Sequence, residues 1–150
     1  ITFFLGMFPI IEIRGAIPIG VGLGLSYFEA FVVGFIGNII PIYFIVKHIG
    51  VIFKVLGKIK ICQKIIDWAS DRATKKIEES EKLQNYTALG LFLFVAIPLP
   101  GTGAWVGSLI ANFLHVPLRK AWIPLALGVL TSGTIVLLAT GSIVTIFQHI

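Results

Sequence analysis

The sequence predicts an all-α integral membrane protein, and three observations lead to that prediction. Hydrophobic residues fill 57% of the 150 positions and charged residues only 13%, whereas soluble domains are about 45–50% apolar. The mean hydropathy is +0.98. Two stretches, residues 27–47 and 120–147, are apolar and long enough to cross a bilayer, which takes about 20 residues of helix. We therefore expect two transmembrane helices.

Two further apolar stretches are interrupted by prolines and glycines. We name them the first broken segment, residues 1–25, and the second broken segment, residues 88–115. Each half covers about half a bilayer at 1.5 Å per residue. Such breaks are tolerated at membrane depth only where protein or a watery cavity satisfies the freed backbone groups. We expect two re-entrant hairpins, with breaks near Pro9, Gly15 and Pro18 in the first and at Pro98-Leu99-Pro100-Gly101-Thr102-Gly103 in the second.

The basic residues set the predicted topology. Apart from Arg14, they lie at Lys47, within residues 48–87, or at Arg119 and Lys120. By the positive-inside rule that face is cytoplasmic. The broken segments then enter from opposite faces, so residues 1–47 and 88–150 form an inverted repeat within one membrane domain. Small residues at every fourth position also relate the return arms: Ala16, Gly20 and Gly24 in one, Gly103, Gly107 and Ala111 in the other.

The polar stretch of residues 48–87 joins the two halves on the cytoplasmic side. Its apolar residues recur at steps of three and four between Ile52 and Ile77, which is the period of an amphipathic helix. The basic residues from Lys54 to Lys64 suit the anionic headgroups of the inner leaflet. A linker helix that is simply solvated is an equally good interpretation.

Several classes of site are excluded by residue type and spacing. A single cysteine, Cys62, cannot form an internal disulfide, and the scattered histidines have no metal-ligand spacing. No nucleophile and base are placed as an enzyme would need them. The glycines from 101 to 107 do not match the dinucleotide fingerprint. We therefore expect no enzyme activity, cofactor, metal or nucleic-acid partner. Because the chain begins at Ile1 without an initiator methionine, we also expect residues before it.

Glu12 and Arg14 are the most informative residues of the first broken segment. A charged side chain at mid-bilayer costs about 2.5–3.5 kcal/mol on insertion scales, so an intramembrane ionisable residue is a functional site by default. A spacing of two puts both side chains on one side of an extended segment, which predicts that the break runs through them. Protonation of Glu12 would free Arg14 for another anion, and the guanidinium fork suits a phosphate. A static ion pair that braces the hairpin is the alternative.

The break in the second segment supplies the other half of the predicted site. It would expose backbone amides at a half-helix N-terminus, where the helix dipole favours an anion or the Glu12 carboxylate. Asn38 is expected to make an interhelical hydrogen bond in preference to a substrate contact, and Trp105 to pack or to anchor at the interface. The candidate residues for substrate and protons are Glu12, Arg14, Pro18, Asn38, Pro98, Pro100, Gly101, Thr102, Gly103 and Trp105.

At residues 9–18 and 98–105, and at Gly37-Asn38, the chain resembles the bacterial and archaeal small multidrug export protein family. That family is similar in layout to the DedA/VTT superfamily. The resemblance implies two re-entrant hairpins that face each other and transport of polyprenyl or other phosphate-bearing lipids, often with proton coupling. The acidic and basic residues of the superfamily carry over only to Glu12 and Arg14, because the second hairpin has no charged counterpart.

These patterns lead to one expected function and two alternatives. We expect a proton-coupled secondary transporter of the inner or plasma membrane that moves a small amphipathic substrate through a midplane site by rocking of its halves. One alternative is a translocase of a phosphate-bearing lipid such as a polyprenyl phosphate; the other is a non-transporting structural membrane protein. Membrane lipids and protons are the expected partners. Two spanning helices are few to enclose a path, which makes a homodimer plausible.

Overall fold

The computed structural model describes residues 1–56, 81–99, 102–114 and 116–148. Within these ranges every regular secondary-structure element is an α-helix, as predicted. The helices are α1 (Thr2–Met7), α2 (Glu12–Gly22), α3 (Tyr27–Leu56), α4 (Glu81–Ala96), α5 (Ala104–Phe113) and α6 (Leu118–Gln148).

The two long helices match the two predicted transmembrane segments. Tyr27–His48 of α3 and Arg119–Ile146 of α6 are long and apolar enough to cross a membrane, each with a mean hydropathy of 1.9. A capping box starts α3: the Glu29 carboxylate accepts hydrogen bonds from the Ser26 amide and hydroxyl at 2.9 and 2.7 Å, and the Glu29 amide donates back to that hydroxyl at 3.2 Å. The boundary of α3 therefore follows from local sequence.

The break in the first segment lies between Met7 and Glu12, and two expectations about it were wrong. Gly15 and Pro18 do not interrupt the helix, because both lie within α2. Pro18 removes only one bond of the helical ladder, the one its missing N–H would donate to the Arg14 carbonyl. Glu12 and Arg14 also lie within α2, so the segment that carries them is not extended as expected. Glu12, the first residue of α2, takes a φ of +50°, a left-handed conformation that non-glycine residues rarely adopt.

Both helices of the first segment pack closely against α3. Added at Gly37, a Cβ atom would overlap the Phe3 carbonyl, so a glycine is required where α1 crosses α3. On the other side, Ala16 of α2 lies against Gly34 of α3. Thr2 contacts Gly20, so the two ends of the segment lie together and the break lies away from them.

The second segment begins within α4, a helix that starts at Glu81 in the residues predicted for the linker and continues through residue 88. α4 ends at Ala96 and α5 begins at Ala104, so the second break lies where the proline and glycine run indicated. Helices α5 and α6 both pack on α4 at Val95, through Gly107 and Gly128. The predicted amphipathic linker falls mostly on residues 57–80, outside the described residues, while its first residues, up to Leu56, continue α3.

The packed interior and the apolar surface both suit a bilayer. The core is a cluster contributed by several helices, with Ile13, Ile17, Ile42, Leu91, Val95, Leu125 and Val129 among its buried residues. Large apolar side chains are also exposed along both long helices, among them Phe28, Phe44, Ile123, Leu138 and Ile146. Water would disfavour so large an apolar surface, whereas lipid would cover it.

Candidate functional site

Glu12 connects the two breaks. Its side chain is only 4% exposed, and its carboxylate accepts hydrogen bonds from the backbone amides of Ala104 at 3.3 Å and Trp105 at 3.1 Å. These amides belong to the first turn of α5, where an α-helix leaves its N–H groups without intrahelical partners and carries a partial positive charge. The N-terminus of α5 therefore binds the Glu12 carboxylate, one of the two partners that the sequence allowed for it.

Gly103 makes room for that contact. It is the N-cap residue of α5, and its own φ of −97° is open to any residue. A Cβ atom added there would overlap both carboxylate oxygens of Glu12. The glycine is therefore required by the close approach of the carboxylate and not by its backbone conformation.

Arg14 binds the opposite side of the same break. Its Nη2 donates to the carbonyls of Val95 at 3.2 Å and Ile97 at 3.3 Å, and its Nε donates to the Ser132 hydroxyl at 3.2 Å. Further bonds run from Nη1 to the Leu99 carbonyl and from Nη2 to the Thr102 carbonyl. These carbonyls lie at the C-terminal end of α4 and in the loop after it, where a cation is favoured.

The two charges thus lie at the two helix ends that flank the second break. Glu12 lies at the positive N-terminal end of α5 and Arg14 at the negative C-terminal end of α4. Among the described residues, the partners of Glu12 are amides and those of Arg14 are carbonyls and a hydroxyl, with no direct bond between the two side chains. We call Glu12 and Arg14, with the helix ends that they bind, the clamp. Its bonds connect the first broken segment to the second, and it is not an isolated ion pair.

The clamp borders a pocket of about 490 Å³. Glu12, Arg14, Pro98 and Gly103 line it together with mostly apolar side chains, namely Pro9, Ile10, Ile11, Ile19, Leu99 and Val106. Ile10 is 92% exposed at its rim. The pocket lining therefore combines two charged residues with a mostly apolar wall, a composition that suits an amphipathic ligand.

The other predicted residues have different positions. The Thr102 hydroxyl donates to the carbonyls of Ile97 and Leu99, both at 2.9 Å, and so stabilises the break itself. Pro18 lies inside α2 and is not part of the pocket lining. Pro100 and Gly101 fall outside the described residues. Trp105 contributes its amide to Glu12, while its buried indole Nε1 has no hydrogen-bond partner among the described residues.

The hydrogen bonding of Asn38 differs from what the sequence predicted. This residue is completely buried in α3, yet neither atom of its amide has a hydrogen-bond partner in the part of the chain that the structure describes. The interhelical hydrogen bond expected for it is not made.

Sequence reasoning missed Ser132, the hydroxyl partner of Arg14, and the backbone carbonyls that Arg14 binds. Ser132 lies 118 residues away from Arg14 in the chain. A buried serine beside Gly133 in a spanning helix was the only local signal, and small residues there usually serve packing. As for metal sites, the described residues contain no group of three or more His, Cys, Asp or Glu side chains that could hold an ion.

The model of the small multi-drug export protein family matches residues 12–135, a range that begins at Glu12, just after the first break, and includes the second break. No curated protein and no solved structure matches the chain. The likeness in layout to the DedA/VTT superfamily stays a prediction.

Proposed function

The chain belongs to the small multi-drug export protein family, and from that membership and the geometry of Glu12 and Arg14 we propose that it is a small secondary transporter. It acts in the inner or plasma membrane and is a carrier, not an enzyme. Its substrate is a small amphipathic molecule that binds in the pocket beside Glu12, and protons drive the transport.

In this proposal α3 and α6 cross the bilayer, and the two broken segments are re-entrant hairpins. The contact between Thr2 and Gly20 supports a hairpin for the first, since it brings the ends of the segment together. The bonds that the α5 amides donate to Glu12 support hairpin tips that lie at one depth. With Lys47, Arg119 and Lys120 on the cytoplasmic side, the halves have inverted topology and rock against each other around the tips.

The observation that carries the proposal is a buried carboxylate that both clamps the second tip and borders the pocket. While Glu12 is ionised, its charge strengthens the bonds from the α5 amides. Protonation removes that charge and weakens the clamp. A proton and a substrate can then favour different arrangements of the tips, which is the differential interaction that coupled transport needs.

The pocket favours a neutral or cationic amphipathic substrate over a phosphate-bearing lipid. Its wall is mostly apolar, and the guanidinium of Arg14 already donates to five protein acceptors. A phosphate would have to displace these bonds, whereas a cation needs only the Glu12 carboxylate and the apolar wall. The lipid translocase and the non-transporting protein become alternative outcomes of the test.

Proteoliposomes with an imposed proton gradient test the proposal, with ethidium as the amphipathic cation. We expect uptake in the wild-type protein and its loss in Glu12→Gln and Arg14→Ala. Glu29→Gln is the matched control, because Glu29 is an exposed capping residue that does not line the pocket. Size-exclusion profiles would establish that each variant folds.

Other results of this transport assay would support one of the alternatives. Undiminished uptake in both site variants would remove Glu12 and Arg14 from the mechanism. Movement of a fluorescent polyprenyl phosphate without ethidium uptake would support the lipid translocase. No movement of either probe would support a structural role.

A further inference from the structure

Asn38 is an unusual residue for the centre of this fold. Its amide carries two hydrogen-bond donors and an acceptor, it is completely buried, and neither its Nδ2 nor its Oδ1 has a partner among the described residues. Buried polar side chains are hydrogen-bonded in the large majority of structures, to protein or to ordered water. A buried amide like this one needs a specific explanation.

The register of α2 against α3 places Asn38 at the level of Glu12. The two helices follow each other and run in opposite directions, with Gly20 lying against Ala30 and Ala16 against Gly34. Each step of four residues back along α2 corresponds to four residues forward along α3. One further turn therefore places Glu12 opposite Asn38.

The register of α3 against α5 brings Trp105 to the same level. Asn112 Nδ2 of α5 donates to the Ile45 carbonyl of α3 at 3.5 Å. Seven residues back along each helix, about 10 Å at 1.5 Å per residue, are Trp105 and Asn38. The amide of Trp105 bonds to Glu12, which agrees with the level derived from α2.

Trp105 adds a second donor without a partner at this level. Its indole Nε1 is buried and has no acceptor in the described part of the chain. Three polar groups therefore share one level of the fold: the Glu12 carboxylate, the Asn38 amide and the Trp105 indole.

We propose that Asn38 and Trp105 bind an internal water molecule that transfers protons to Glu12. The water accepts hydrogen bonds from Asn38 Nδ2–H and Trp105 Nε1–H and donates one to the Glu12 carboxylate. Three bonds are typical of a buried water. In the transfer step, one of the two hydrogen bonds that the water accepts breaks and the freed lone pair binds a proton from solvent. The water proton that is hydrogen-bonded to Glu12 then passes to the carboxylate oxygen, and a neutral water remains. The inference rests on the proposed function for the role of that proton in transport.

Glu12 is the carboxylate that can accept a proton at this level, because the other described carboxylate and basic side chains lie elsewhere or, like Arg14, are cations. Arg14 is the ionisable neighbour on its own helix. Glu29 and Lys47 of α3 are each nine residues from Asn38, about 13 Å along the axis, and Arg119 and Lys120 lie in the first turn of α6. The described side chains of α1, α4 and α5 include no charged residue.

Infrared difference spectra of the purified protein in lipid nanodiscs, taken between alkaline and acidic buffer, test the proposal. We expect a protonated carboxyl band that Glu12→Gln removes, and a water O–H band that shifts in H₂¹⁸O. Asn38→Leu should abolish the water band and shift the carboxyl band. Asn112→Leu is the matched control, because this asparagine has the Ile45 and Ser108 carbonyls as partners, and both bands should remain.

Trp105→Phe provides a second test should Asn38→Leu not fold, since it keeps a ring and removes only the indole N–H. It should weaken the water band. Wild-type spectra in Asn38→Leu or in a folded Trp105→Phe would overturn the proposal, as would a wild-type protein with no Glu12 band. Both bands in a protein that moves no substrate would support the water site while refuting the proposed transport.

Discussion

The backbone amide of Trp105 donates a hydrogen bond to the Glu12 carboxylate at 3.1 Å, across 93 residues of chain. This bond joins the start of α2 to the start of α5 and therefore joins the two broken segments. Arg14 completes the junction by binding the carbonyls on the other side of the second break. The junction is made of charges acting on helix ends, so its strength depends on the ionisation of Glu12 and on close backbone approach.

Gly103→Ala should open this junction. The new methyl group would overlap the Glu12 carboxylate, and overpacking in a well-packed site typically costs about 1–3 kcal/mol. The melting temperature in detergent should fall and transport should decrease. Gly90→Ala is the control, because an added Cβ there would meet nothing within 4 Å. Equal stability of the two variants would show that Glu12 does not lie against Gly103.

Ser132→Ala should remove one of the hydrogen bonds that position the Arg14 guanidinium and so lower stability. The substitution removes the hydroxyl that accepts a bond from Nε, and hydrogen bonds to charged groups contribute about 1.5–3 kcal/mol. Thermal unfolding would detect the loss. Thr134→Val, which removes an exposed hydroxyl that donates to the Leu130 carbonyl of its own helix, should change stability little. A Ser132→Ala protein as stable as this control would argue against the contact.

Arg14→Lys tests whether geometry matters beyond charge. A lysine keeps the positive charge but offers three donors on one nitrogen, whereas Arg14 spreads its bonds over Nε, Nη1 and Nη2. We expect a lower melting temperature and little transport. Arg119→Lys, a conservative change at an exposed position, should behave like the wild type. Full transport by Arg14→Lys would show that transport needs only the positive charge of Arg14 and not its hydrogen-bond geometry.

Single cysteines test the proposed inverted topology. In a Cys62→Ser background, Leu23→Cys lies in the turn after α2, where the native side chain is 57% exposed, and Pro117→Cys lies in the exposed turn before α6. A membrane-impermeant maleimide should label position 23 from outside the cell and position 117 from the cytoplasm. Labelling of both from the same side would contradict the arrangement.

The sequence by itself determined the class of the protein and much of its layout. Hydropathy located α3 and α6, the proline and glycine run located the second break, and Ser26 with Glu29 marked the start of α3. Glu12 stood out because a charge in an apolar segment is costly, and its preference for helix amides followed from the dipole. These inferences depend on neighbours in the chain or on the solvent, and both can be read from a single segment.

Only the tertiary structure decided the partners of the site. It kept Pro18 inside a helix, assigned Arg14 to carbonyls 81 to 88 residues away and to Ser132, and left Asn38 buried without a protein partner. Such contacts depend on how α2, α4, α5 and α6 pack together. Any buried guanidinium needs acceptors, but many carbonyls and hydroxyls would satisfy it equally well. Which of them lie within reach is set by packing between distant segments, and no local pattern records it.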